Sequence, residues 1–260
     1  MQLVRNFWQS QVGKKVVMAV TGLIGVGFVI GHMVGNLQVF EGPAKINAYA
    51  HFLHHTMGEL LWPIRAVLLT AVILHVVAAV QLTRQKQAAR PGRQGYVKWE
   101  PQISTFASRT IRWGGALLLV WLVYHILHFT IRPQITSPGY SETDVYSNIV
   151  KGFSRPLVTA FYLVAMASLA LHLFHGAWSS MRTLGISRPR ARPTTRPVVL
   201  LLAAVVALGF AVVPLAVLLG VVKPVAGTPP AASVQAPQPG PGGSQVSSAA
   251  PVPSLPAEGK

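Results

Sequence analysis

The sequence predicts an all-α integral membrane bundle of five transmembrane helices, and three observations carry that reading. Of 260 residues, 51% are hydrophobic and only 11% charged, whereas a soluble domain carries about 25% charged residues. Five apolar stretches, near 16–40, 60–83, 110–131, 156–181 and 197–222, are long enough to cross a bilayer core, which takes about 20 helical residues. Lysines and arginines cluster in alternate gaps between those stretches, as they do where a membrane protein fixes its orientation. The net charge of +16 therefore marks no basic soluble face, and no nucleic-acid partner is expected.

Each stretch must be helical, because lipid offers the backbone no hydrogen-bond partner. The first follows MQLVRNFWQSQVGKK; it is longer than a signal-peptide core, lacks a small-x-small cleavage site, and so is expected to be retained. The region around Trp8 is expected to lie along the interface. The N-terminus carries Arg5, Lys14 and Lys15, and the gap after the second helix Arg84, Lys86, Arg90, Arg93 and Lys98, with Arg109 and Arg112 just beyond. The gap after the fourth carries Arg182, Arg188, Arg190, Arg192 and Arg196, while the alternate gaps hold only Lys45 and Arg65, or Arg132, Lys151 and Arg155. The N-terminus is therefore expected in the cytoplasm and the C-terminus outside. Residues 1–223 form the membrane domain, and the Pro/Ala/Gly/Ser-rich stretch 224–260 reads as a disordered external tail.

The chain has no cysteine. Disulfides, iron–sulfur ligation by this chain and covalent c-type haem attachment are thereby excluded. It does have nine histidines. His51, His54 and His55 fall in the segment NAYAHFLHHTMGEL, read as an outer loop, and the other six fall inside predicted spans. An ionisable residue within a span costs roughly 2–3 kcal/mol or more, faces the bundle interior as a rule, and is a functional candidate by default.

Helical rise gives each histidine a depth. His32 lies roughly 12 Å from the outer end of the first helix and His125 roughly 9 Å from the outer end of the third. His75 and His172 lie roughly 12 and 13 Å from the inner ends of the second and fourth. The four sort into two layers, His32 with His125 towards the outside and His75 with His172 towards the cytoplasm. Each layer draws one imidazole from each of two helices, the arrangement that a bis-histidine b-type haem needs. Two haems stacked across the membrane are expected. His128 and His175 each follow a candidate by one turn, and depth favours the earlier member of each pair. Ser168, one turn before His172, is expected to accept that ring's N–H.

Gly27, Gly31 and Gly35 form an i+4 row beside His32, which serves either close helix packing or close approach of a flat porphyrin. Gly114, Gly115 and Gly176 offer similar small surfaces. Arg65, Arg84, Arg112 and Arg182 stand near helix ends, where they either pair with haem propionates or snorkel to the interface.

The blocks KKVVMAVTGLIGVGFVIGHMVGNL (14–37), ILHVVAAVQLT (73–83), ARPGRQGYVKW (89–99), ASRTIRWGG (107–115), VYHILHFT (123–130) and LHLFHGAWSSMRTLG (171–185) resemble one family. It is that of the di-haem cytochrome b membrane-anchor subunits of succinate dehydrogenases and fumarate reductases, and the resemblance covers about 14–223. It implies five membrane helices with two b haems among the first four, and axial ligands at His32, His75, His125 and His172. It implies a bacterial cytoplasmic-membrane protein that partners a flavoprotein subunit, which oxidises succinate, and an iron–sulfur subunit docked on the inner basic loops. Electrons would pass by the two haems to a quinone, with menaquinone expected. Glu41, Glu59, His51, His54 and His55 are the quinone and proton candidates near the outer haem, alongside a purely solvated role for that loop. The same histidines also suit a cytochrome b of another dehydrogenase, such as a hydrogenase or formate dehydrogenase, or a haem-free transporter or scaffold.

Overall fold

A computed structural model of the chain describes residues 1–89, 106–131, 140–141, 143–186 and 192–225. Arg90, Arg93, Lys98, Arg132, Arg188, Arg190, nearly all of the ARPGRQGYVKW block and residues 226–260 of the tail lie outside the described residues. Within them all regular structure is helical: α1 Gln2–Gln9, α2 Gln11–Leu37, α3 Pro43–His51, α4 Gly58–Ala88, α5 Phe106–Ile126, α6 Val145–Phe153, α7 Pro156–Thr183 and α8 Arg192–Leu218. Five of these (α2, α4, α5, α7 and α8) are long and apolar enough to cross a membrane.

Local chemistry sets the boundaries. Ser10 ends α1 and caps α2, its hydroxyl accepting the Gly13 amide at 2.8 Å. A 3₁₀ turn, Gln38–Glu41, closes α2, and Gly42 at φ 96° turns the chain into α3, a backbone angle that side chains other than glycine resist. Asp144 caps α6 by accepting the Ser147 amide at 3.1 Å. Pro156 opens α7, where the missing N–H is no loss. α-Helical winding loosens to π at Phe52–Thr56 and Leu127–Ile131, a feature that often accompanies functional side chains.

One sequence expectation needs correcting here. The segment read as an outer loop is a helix, α3, followed by π winding. Its counterpart before α7 is also a helix, α6. Asn47 of α3 joins the two, donating to Asp144 Oδ1 at 3.1 Å and accepting the Tyr146 amide at 3.0 Å. Around this latch Val39, Ile46, Ile149, Val150, Phe153, Val213 and Val217 form a buried cluster, so one end of the bundle is capped by protein. Tyr146 ties in the end of α8 as well, donating to the Lys223 carbonyl at 3.0 Å.

The long helices pack in the order α4–α2–α7–α5, each against the next. The circuit is not closed: α4 and α5 scarcely touch. Helix α8 lies outside it, against α7 and α2, with Met33, Leu173, Ala203 and Val206 buried at the junction and the Met33 sulfur seated on Gly209. Arg196 lays its guanidinium over Phe174, 5.9 Å from the ring centre.

Candidate functional site

The four histidines singled out by depth meet in two pairs. The rings of His32 (α2) and His125 (α5) lie 5.9 Å apart, centre to centre, and those of His75 (α4) and His172 (α7) 6.1 Å apart. Given the packing order, each pair spans a diagonal of the four-helix arrangement. The first pair is on the side of the α3/α6 cap, since His125 reaches Tyr162 near the start of α7. The second is one tier further along, about 15 Å away at 1.5 Å per residue from Tyr162 to His172.

The rings are held unequally. His125 Nδ1 lies 3.2 Å from the Tyr162 hydroxyl, and Trp121 stacks on its ring at 5.1 Å. Among the described residues His32 is held by aromatic contact, stacked on Phe28 at 5.3 Å and tilted against Phe210 at 5.8 Å. His75 Nδ1 donates to the Met18 carbonyl at 3.1 Å, with the Thr21 hydroxyl 3.2 Å away. Thr21 in turn bonds back to Val17 at 2.7 Å. With Nδ1 engaged on His75 and His125, Nε2 remains for the partner ring or for a metal.

His172 departs from the sequence expectation. Its Nδ1 is buried without a hydrogen-bond partner among the described residues. Ser168 does not reach it: the two residues line the same cavity of about 230 Å³ between α5 and α7, with Thr110, Gly114 and Leu117. Side chains one turn apart on a helix lean towards the N-terminus together, so the hydroxyl moves away as the ring does.

The fit to a haem can be tested on these distances. An imidazole nitrogen bonds a metal at about 2 Å and a ring centre lies roughly 1 Å behind its nitrogen, so two axial rings stand roughly 6 Å apart. Both pairs meet that spacing. Small residues flank the rings: a side chain at Gly22 would meet His75 at 3.4 Å, and one at Gly115 would meet His172 at 3.7 Å. The glycine row resolves into two roles. Gly35 packs on Tyr49, whose ring stands 2.9 Å from where a Cβ would be, while Gly27, Gly31, Gly114 and Gly176 face nothing within 4 Å. Close helix packing therefore accounts for Gly35 and not for Gly27 or Gly31.

His128 is 1% exposed. It sits against Phe129 and Phe153 with ring centres 4.1 and 6.4 Å away, and its Nδ1 lies 3.0 Å from the Tyr162 hydroxyl. His175 is half-buried one turn beyond His172. The arginine candidates Arg65, Arg84, Arg112 and Arg182 are all exposed near helix ends, and Arg65 lies over the Trp62 ring at 5.3 Å.

The quinone and proton candidates Glu41, Glu59, His51, His54 and His55 are all exposed. Glu41 pairs with Lys45 at 3.8 Å on the surface. Glu59 is exposed in the first turn of α4, where a negative charge suits the helix end. His51 and His55 stack on one another at 4.3 Å. Burial, the Arg65 charge and the neighbouring His55 hold the His54 imidazole below its usual range.

Sequence reading missed Tyr162, Trp121, Thr21 and Gly22. One signal was available: Tyr162 carries a hydroxyl inside an apolar span, on the same helix as His172 and about 15 Å from it, which places it at the other tier. Protein-family models, curated proteins and solved structures were each compared with the chain, and none matches.

Proposed function

We propose that the chain is the membrane-anchor cytochrome b subunit of a succinate:quinone oxidoreductase, holding two b haems between its first four long helices. One observation supports this above the others: two imidazole pairs on opposite diagonals of a lipid-compatible bundle, at 5.9 and 6.1 Å. A lone membrane histidine serves as a helix–helix hydrogen-bonder, but these four turn their rings towards each other. A b haem, when bound, supplies reversible one-electron iron chemistry.

The protein's part is to place and tune. His32 and His125 would ligate one iron, His75 and His172 the other. Met18 and Thr21 fix the ring orientation of His75, as Tyr162 fixes that of His125. Among the described residues α4 and α5 scarcely touch, and Gly27, Gly31, Gly114 and Gly176 face nothing within 4 Å, which suits a flat ring beside the pairs. The lysine and arginine distribution supports a cytoplasmic N-terminus, with the α3/α6 cap and any quinone reaction on the outer side. The basic ends of α4, α5 and α7 suit a docking surface for the soluble flavoprotein and iron–sulfur partners.

The test is purification in mild detergent, then a reduced-minus-oxidised spectrum and identification of the accompanying subunits. The expected result is b-type bands at two haems per chain, with a flavin-containing subunit active on succinate. A chain free of haem at full occupancy of fold would overturn the cofactor assignment. Two haems alongside a hydrogenase or formate dehydrogenase subunit would overturn only the choice of complex.

A further inference from the structure

The Tyr162 hydroxyl stands between two imidazoles, 3.2 Å from His125 Nδ1 and 3.0 Å from His128 Nδ1. A phenol has one hydrogen, so it donates to one ring and accepts from the other. His125 decides the direction. In the haem reading above, on which this inference rests, Nε2 of His125 is committed to iron, and its neutral ring then carries the hydrogen on Nδ1. His125 donates to Tyr162, and Tyr162 donates to His128.

We propose that Tyr162 and His128 form a polarised relay behind His125 that makes it the more electron-donating ligand of its pair and lowers the reduction potential of that haem alone. Both are positioning residues. Neither is a ligand.

A purely structural role does not explain His128. An imidazole buried among Phe129, Phe153 and Tyr162 costs more to desolvate than a leucine of similar size, and α6 makes room for it with Gly152, where a Cβ would stand 3.1 Å from the ring. In such surroundings hydrogen bonds strengthen and polarise one another, and a bonded second nitrogen raises the basicity of a metal-bound histidine. Among the described residues the other three rings lack this arrangement: His32 has aromatic neighbours, His75 leans on a backbone carbonyl and the Thr21 hydroxyl, and His172 Nδ1 has no hydrogen-bond partner. The effect is therefore confined to one of two haems.

The experiment is a redox titration of the purified holoprotein, followed optically and by electron paramagnetic resonance, for the wild type, Tyr162→Phe, His128→Leu, His128→Gln and the Tyr162→Phe/His128→Leu double variant. Both haems are retained. Tyr162→Phe raises the midpoint of one haem and leaves the other unmoved. His128→Leu shifts the same haem the same way by less, and His128→Gln, whose side-chain oxygen accepts the phenol hydrogen, returns it towards the wild-type value. The double variant moves no further than Tyr162→Phe, since His128 acts through Tyr162. Unmoved midpoints, equal shifts in both haems, or additive shifts in the double variant overturn the relay. So does loss of that haem in all the variants, because a role behind the ligand leaves the ligands in place. A wild-type chain without haem instead overturns the cofactor reading beneath it.

Discussion

At the scale of single residues, the molecule separates imidazoles that face each other from imidazoles that only lie nearby. His75 and His172 form one pair and His32 and His125 the other, while His175, one turn from a pair member, does not take part. On the proposed function, replacing His75 or His172 with leucine should remove one b-type spectral component and leave its twin, and replacing His175 should preserve both. Loss of both components from every single change, with the bundle still assembled, would contradict two independent tiers. Gly115 carries a related expectation. Its absent side chain lies against the His172 ring, so Gly115→Leu should abolish the component that His172→Leu abolishes; an unchanged spectrum would show that the ring has room to move. These pairings were legible in the sequence because depth along a helix follows from rise per residue. Tyr162 was not, because its partners are 34 and 37 positions distant and only the packing of α7 on α5 brings them together.

At the scale of elements, the short helices α3 and α6 govern one end of the bundle. Neither is long enough to be stable alone; Val145, Tyr146, Ile149, Val150 and Phe153 recur at helical spacing in α6, whereas α3 carries little such periodicity, and together they pack on each other and on the ends of α2, α7 and α8. Asn47 is central to this. Asn47→Ala strands the buried Tyr146 amide and should cost about 1–3 kcal/mol, read as a lower thermal unfolding midpoint in detergent; an unchanged midpoint would show the latch to be incidental. Its partner gives a pH signature. Burial pushes the Asp144 carboxyl up, but hydrogen bonds from Ser147 and Asn47 and the charge of Lys151 outweigh that and hold it below its ordinary 3.8. A carboxyl depressed on folding contributes stability above its unfolded value and loses it as pH falls through the folded one. The wild-type cap should thus loosen only below about pH 4, and Asp144→Asn should be less stable at neutral pH and lack that acid step. An acid transition identical in the two proteins would remove Asp144 from the account.

At the scale of the whole molecule, five helices are long and apolar enough to cross a membrane; if all five cross, the two ends fall on opposite faces, and the distribution of basic residues favours a cytoplasmic N-terminus. The absence of cysteine makes this directly measurable. A single cysteine introduced in the 226–260 tail should react with a membrane-impermeant maleimide in intact cells, and one at Gln2 only after permeabilisation; the reverse pattern would invert the bundle. The number of spans and their limits to within a few residues were readable from hydropathy, because lipid demands a continuous apolar helix. The packing order was not readable, since apolar faces of similar composition give no preference for one neighbour over another.

Among the described residues that order leaves α4 and α5 scarcely touching, and on the proposed function this bears on biogenesis. A polypeptide that closes its bundle around a prosthetic group would not mature by translation and insertion alone. In a porphyrin-starved cell the newly inserted chain should persist as a loosened intermediate exposed to membrane proteases, so that its abundance follows the supply of tetrapyrrole even while its messenger is made at a constant rate.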